Sequence, residues 1–136
     1  MQEILSVLVA DQDPSTLKKV TDAIKDYPSK VICCWSHDAI LDTVLQNQPV
    51  DVVLLDFQRP FEKSFELLSD LKAVVPQAEV VFVSRFDEEK LWVEAVQRGA
   101  YDFLAKPLDS LELKRILLQA TERHHPVKVR SVKASQ

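Results

Sequence analysis

Hydrophobic and polar positions follow two periods along this chain, and the two take turns. Short, predominantly apolar runs occur at Ile4 to Ala10, Val50 to Leu55, Val80 to Val83 and Tyr101 to Ala105, with a further β-rich stretch at Val31 to Trp35. Between them, apolar residues recur at helical spacing. The sets are Leu17, Val20, Ile24 and Tyr27; Ala39, Ile40, Thr43, Val44 and Leu45; Phe65, Leu68, Leu71 and Val75; Val93 and Val96, read as an inward stripe; and Leu113, Ile116, Leu117 and Ala120. Five strands thus alternate with five helices. Continuous rather than alternating apolar strands indicate a parallel sheet covered on both faces, and right-handed crossovers place helices on the two sides. The expected architecture is α/β, a (βα)5 doubly wound five-stranded parallel sheet.

Punctuation agrees with the periods. Asp13-Pro14 is an N-cap followed by proline at the first helical position, and Pro28 stops that helix. Ser36 can cap the second helix, which breaks at Pro49, and a loop around Pro60 precedes the third, which Pro76 ends. Asp87-Glu88-Glu89 is an acidic first turn suited to the helix dipole. Gly99, the only glycine, is a natural C′ residue. Asp109 with Glu112 resembles a capping box for the last helix.

The strand ends carry the chemistry. The first run ends in Asp11, the third-strand run in Asp56, the next in Ser84 and the last in Lys106-Pro107. In a parallel sheet the carboxyl ends share one edge, where open α/β sheets bind ligands. Two carboxylates, a hydroxyl and an amine are therefore expected to converge on one small anion-handling site.

Length and charge narrow the class. The chain has 136 residues, enough for one domain with a full core. No stretch approaches the roughly 18 apolar residues of a membrane span, and no basic start leads into a long apolar region. The chain is read as cytoplasmic, with no membrane partner. Adjacent Cys33 and Cys34 have neither metal-site spacing nor the usual geometry of a stabilising disulfide, and are read as small strand residues. Residues 1–122 hold 13 basic and 21 acidic side chains, a net of −8, while residues 123–136 hold four basic side chains and no acid, a net of +4. The acidic body argues against nucleic acid binding by this domain. Residues 123–136 are read as a basic tail or linker, aperiodic and flexible, outside the 1–122 domain.

Four motifs carry a family resemblance. Val9-Ala10-Asp11-Gln12-Asp13-Pro14, Val53-Leu54-Leu55-Asp56-Phe57-Gln58-Arg59-Pro60, Val83-Ser84 and Gly99 to Pro107 resemble the receiver domain of bacterial two-component response regulators, over residues 4–122. Gly99 to Pro107 is most similar to receivers placed ahead of transcription-activating output domains. The resemblance implies the flavodoxin-like receiver fold. It implies a signalling phosphoacceptor rather than an enzyme with separate substrates, with Asp56 phosphorylated by a sensor histidine kinase or phosphotransfer protein. It also implies Mg²⁺ held by Asp11, Asp56 and the Gln58 backbone carbonyl, with Gln12 as a further candidate ligand. Lys106 would offset phosphoryl charge, and Ser84 with Phe103 would form the switch. Partners would be a downstream output domain or effector, or a second copy as a homodimer, with Trp92 on the partner surface. The chemistry stands independently: a carboxylate attacking a phosphoryl group needs cations against the equatorial oxygens.

Departures from the family pattern set a competing expectation. Two adjacent acids are usual after the first strand, and here the second is Gln12. Losing a unit charge about 4 Å from the metal costs roughly 1–4 kcal/mol, about one to three orders of magnitude in Mg²⁺ affinity. Asp13 is expected to cap its helix rather than compensate. Arg59 and Arg85 are read as solvent-facing loop residues, with the alternative that Arg85 swings over the pocket and supplies charge. Phe86 would hinder an attacking water and slow dephosphorylation. The usual glycine after the loop proline is missing, with Phe65 near its place. Gln12 and Arg85 favour a pseudo-receiver, a binding module independent of phosphate. An unrelated enzyme fits less well, because no glycine-rich phosphate loop occurs and no His or Cys is expected at a strand end facing the site. His37 is read as starting a helix, and His124-His125 as a poor metal site.

Overall fold

The computed structural model describes residues 4–86 and 88–122. Asp87, the basic tail and His124-His125 lie outside these residues. The elements are β1 (Leu5–Ala10), α1 (Pro14–Ala23), β2 (Ser29–Cys34), a 3₁₀ turn (His37–Ala39), α2 (Ile40–Gln46), β3 (Val52–Asp56), α3 (Phe61–Val74), β4 (Glu79–Ser84), α4 (Glu89–Gln97), β5 (Asp102–Ala105) and α5 (Ser110–Glu122). All strand pairs are parallel, in the order β2-β1-β3-β4-β5. The expected (βα)5 doubly wound sheet is the observed one.

Each strand feeds two cores because successive side chains point to opposite faces. Leu8, Val53, Leu55 and Phe82 meet α2, α3 and α4 through Ile40, Val44, Phe65, Leu68 and Leu91. Val7, Val9, Leu54, Val81 and Val83 meet α1 and α5 through Val20, Ala23, Leu113 and Leu117. That double coverage is why the strands read as unbroken apolar runs.

The caps form as the punctuation requires. Asp13 accepts from the Ser15 N–H, with Pro14 opening α1. Asp109 Oδ2 accepts from the Glu112 N–H at 2.9 Å, which is half of the expected capping box. Gly99 takes φ +110° after α4, a conformation that side chains with a Cβ adopt only under strain.

Several boundaries differ from the sequence reading. α1 ends at Ala23, so Tyr27 lies beyond it and is exposed. β2 starts at Ser29 and stops at Cys34, leaving Trp35 half exposed. Ser36 caps the 3₁₀ turn rather than α2, and Leu45 faces outward. The stripe read as inward on α4 is reversed: Leu91 and Ala95 are buried, while Val93 and Val96 are exposed. The helix carries two apolar stripes, and the sheet has room for one.

Candidate phosphoacceptor site

All four expected strand ends lie at one rim, and the side chains of three of them meet there. Lys106 Nζ lies 2.7 Å from Asp11 Oδ2 and 3.4 Å from Asp56 Oδ1, with Asp13 Oδ2 at 4.0 Å. The Lys106 and Asp56 side chains are only 13% and 14% exposed, and Asp11 2%. Lys106 is delivered there by its own backbone, whose N–H donates to the Ser84 carbonyl at 2.7 Å as β5 ends beside β4. Charged groups this buried persist only when paired, and a single ammonium serves two carboxylates.

Asp11 is held from every side. Its Oδ1 accepts from the Asp13 N–H at 2.9 Å, and its Oδ2 accepts from the Thr16 hydroxyl at 2.7 Å as well as from Lys106. Thr16 was not foreseen. Its signal is positional: it sits three residues after the Asp13 cap, in the first turn of α1, buried and turned back toward the strand end.

Asp56 has a second clamp, since the Gln58 side-chain amide donates to its Oδ2 at 3.1 Å. The Gln58 backbone is fixed by Ser64, a fully buried serine beside Phe65 that the sequence reading passed over. The Gln58 N–H donates to Ser64 Oγ at 3.0 Å, and Ser64 Oγ donates to the Gln58 carbonyl at 3.2 Å. α3 starts directly after Pro60, its N-cap. His37, expected only to begin a helix, also places Nε2 3.2 Å from the Asp56 carbonyl oxygen. His37 belongs to the 3₁₀ turn rather than to a strand end, and its contact is with the main chain of Asp56 rather than with the carboxylates.

Ser84 takes a different direction. Its hydroxyl accepts from the Phe86 N–H at 2.8 Å and donates to the Phe86 carbonyl at 3.2 Å, so both bonds run into its own loop rather than toward Asp56. Phe103 is buried against Phe57 and Phe82, with ring centroids 5.2 and 6.2 Å apart.

The arginines frame the mouth. Arg59 is exposed but not free in solvent: its guanidinium lies 4.7 Å from the Phe86 ring centroid and 5.3 Å from that of Phe61. Arg85 sits 5.7 Å from the Phe86 centroid and walls a cleft of about 310 Å³ with Asp13, Thr16, Lys19, Lys106 and Leu108. Gln12 is exposed at the rim. Away from the site, Trp92 is 43% exposed, and its indole N–H donates to Asp102 Oδ1 at 3.3 Å.

At this rim the surroundings of Asp13 shift its titration. The Ser15 N–H holds its carboxyl below the ordinary 3.8, aided by the Ser15 hydroxyl and by the charges of Lys106 and Arg85. A depressed folded value stabilises above the unfolded value and is lost as pH falls through the folded one. Asp13→Ala is expected to unfold more readily than the wild type at pH 7, with the gap closing below about pH 4. Urea midpoints at both pH values measure it, and a gap unchanged at low pH would refute it.

The donor set fits Mg²⁺ chemically. The Asp11 and Asp56 carboxylates and the Gln58 carbonyl are hard oxygens, and Mg²⁺ retains several waters beside one or two carboxylates. Among the described residues no cluster of three or more His, Cys, Asp or Glu side chains is placed to hold a metal. The protein thus offers two carboxylates where an acid at position 12 would add a third.

Comparison with known proteins agrees with this geometry. The family model "Response regulator receiver domain" matches residues 7–118. The transcriptional regulatory protein ZraR of Salmonella typhimurium is 28% identical over 117 residues, 85% of this chain and 26% of that protein. The DNA-binding transcriptional regulator NtrC of Azospirillum brasilense is 26% identical over 121 residues, 89% of this chain and 25% of that one. The chain spans about a quarter of the length of these curated relatives. Among solved structures, a response regulator receiver domain protein from Clostridium thermocellum superposes with TM-score 0.78 at 21% identity, covering 91% of this chain and 99% of that one, a likeness of fold. A response regulator from Thermotoga maritima gives TM-score 0.75 at 25% identity, covering 85% and 99%. With the family's model spanning most of the sheet and its helices, this chain belongs to the response regulator receiver domains of two-component signalling.

Proposed function

We propose that the domain accepts a phosphoryl group on Asp56 from a sensor histidine kinase or phosphotransfer protein, and that the modification alters a protein contact. The observation that carries this reading is the Lys106 ammonium between Asp11 and Asp56, at 2.7 and 3.4 Å. A carboxylate oxygen of Asp56 forms the new O–P bond while the donor's bond to phosphorus breaks and its electron pair leaves with the donor. Lys106 faces the charge on the equatorial oxygens. The Ser84 hydroxyl releases Phe86 and donates to the phosphoryl group, and Phe103 on the neighbouring strand follows. Bound Mg²⁺, held by Asp11, Asp56 and the Gln58 carbonyl with Gln12 at the rim, would supply further charge compensation, weakened by the missing acid. Phe86, carrying Arg59 on its face, shields the site from water and slows loss of the group. The α4 face with Trp92 is the surface for an effector, an output domain or a second copy, and residues 123–136 serve as a linker.

A second reading, a phosphate-independent binding module, draws on a specific observation. Both oxygens of Asp11 are already engaged within the protein, by the Asp13 N–H, Thr16 and Lys106. Beryllofluoride or a small phosphodonor, with and without Mg²⁺, separates the two through the mass of the Asp56 peptide and Trp92 fluorescence. Uptake that requires Mg²⁺ is the expected result. No uptake at millimolar Mg²⁺ would replace the phosphoacceptor reading with the binding module.

A further inference from the structure

The Asp56 carbonyl stands where the sheet runs out. β1 pairs with β3 only as far as Ala10 opposite Leu55, whereas β4 continues to Val83 opposite Asp56. The Phe57 N–H donates to the Val83 carbonyl on the β4 side at 2.8 Å. Successive residues of a strand direct their backbone groups to alternate sides, so the Asp56 carbonyl faces the β1 side, one residue past the last β1 pair. A buried carbonyl without a partner is costly. His37 Nε2 meets it at 3.2 Å, reaching over the end of β1 from the 3₁₀ turn.

We infer that His37 is a positioning residue for the Asp56 nucleophile, fixing its main chain as Lys106 and Gln58 fix its carboxylate. This rests on the phosphoacceptor reading of Asp56. A carbonyl oxygen only accepts, so the bond requires the proton on His37 Nε2. The turn beneath the ring is anchored. Ser36 Oγ accepts from the Asp38 N–H at 3.2 Å, and its carbonyl accepts from the Ala39 N–H at 3.1 Å and from the Cys34 thiol at 3.2 Å. The turn that carries His37 is therefore tied to the end of β2. The carboxylate direction follows from the backbone angles of Asp56, and small displacements of a reacting group carry large rate penalties. Lys106 and Gln58 grip the two carboxylate oxygens, and His37 grips the carbonyl of the same residue.

The test compares the full chain with three variants, using acetyl phosphate as donor and the mass of the Asp56 peptide as readout. His37→Phe fills the space without a donor and is expected to slow labelling about fivefold to tenfold, the worth of one hydrogen bond. His37→Gln supplies an N–H at similar reach and is expected to restore most of the rate. His37→Asn keeps the donor but is too short, and is expected to stay slow. Rescue by glutamine alone marks positioning, since a space-filling role would favour phenylalanine. Nitrogen NMR of the wild type is expected to place the imidazole proton on Nε2. A His37→Phe rate equal to the wild type overturns the inference and leaves the phosphoacceptor reading intact, as does a glutamine variant as slow as the asparagine one. Should the phenylalanine variant not fold, the glutamine–asparagine contrast decides alone. A folded wild type that takes no label overturns the phosphoacceptor reading itself, and the positioning role falls with it.

Discussion

Replacing Lys106 with methionine is expected to destabilise the folded chain by about 2–4 kcal/mol, because removing one partner strands the others as buried charges. The ammonium is the only cation within 4 Å of both Asp11 and Asp56 among the described ion pairs. Asp11 has 2% exposure, so water cannot take over the role of the amine. Methionine preserves the length and apolar stem, so packing alone changes little. The same substitution is expected to cut phosphoryl uptake about 10²–10³-fold, the scale for losing one preorganised charge stabiliser. Two consequences separate the electrostatic cause from a packing defect. Millimolar Mg²⁺ is expected to recover part of the lost stability in the variant, since a divalent cation can face the same carboxylates. Lys106→Arg, which keeps the charge, is expected to retain more stability than Lys106→Met. Urea midpoints of the three proteins, each with and without Mg²⁺, measure both. A methionine variant as stable as the wild type would show that the ion cluster contributes nothing to the fold.

The strand-end residues could be read from the chain because backbone topology alone assembles them. Parallel order brings the ends of β1, β3, β4 and β5 to one rim, and no side-chain detail is needed to place Asp11, Asp56, Ser84 and Lys106 there. The same holds for Asp13-Pro14 and Gly99, whose roles are fixed by local backbone geometry. What escaped the sequence is side-chain direction. Ser84 stands at its expected position, yet its hydroxyl points into its own loop. Val93 and Val96 define a helical stripe as well as Leu91 and Ala95 do, and only the packing of α4 into the core selects between them. His37 and Thr16 act across element boundaries, from a turn and from a helix, on residues 19 and five positions away. Periodicity within an element carries no signal for such contacts. Arg59 shows the limit from the other side: a loop arginine reads as solvent-facing, and stacking on Phe61 and Phe86 becomes apparent only when two loops are brought together.

Gln12→Asp is expected to raise Mg²⁺ affinity by about one to three orders of magnitude, the Coulomb worth of one added charge near 4 Å between water-like and surface-like screening. The residue is exposed at the rim, which favours the lower part of that range. Without metal, the new carboxylate adds to Asp11, Asp13 and Asp56 around a single ammonium, so the variant is expected to melt below the wild type. Ligand binding to the folded state stabilises it in proportion to the logarithm of concentration over Kd. Added Mg²⁺ is therefore expected to reverse the order, with the variant gaining more in Tm than the wild type. Gln12→Ala distinguishes charge from ligation. If the amide oxygen of Gln12 itself holds the metal, alanine weakens binding further; if position 12 matters only through charge, alanine leaves the wild-type Kd unchanged. Calorimetric titration of the three proteins with Mg²⁺ reads the Kd values directly. An aspartate variant with the wild-type Kd would move the metal away from the β1 end altogether, and would end the proposal that the missing acid weakens binding.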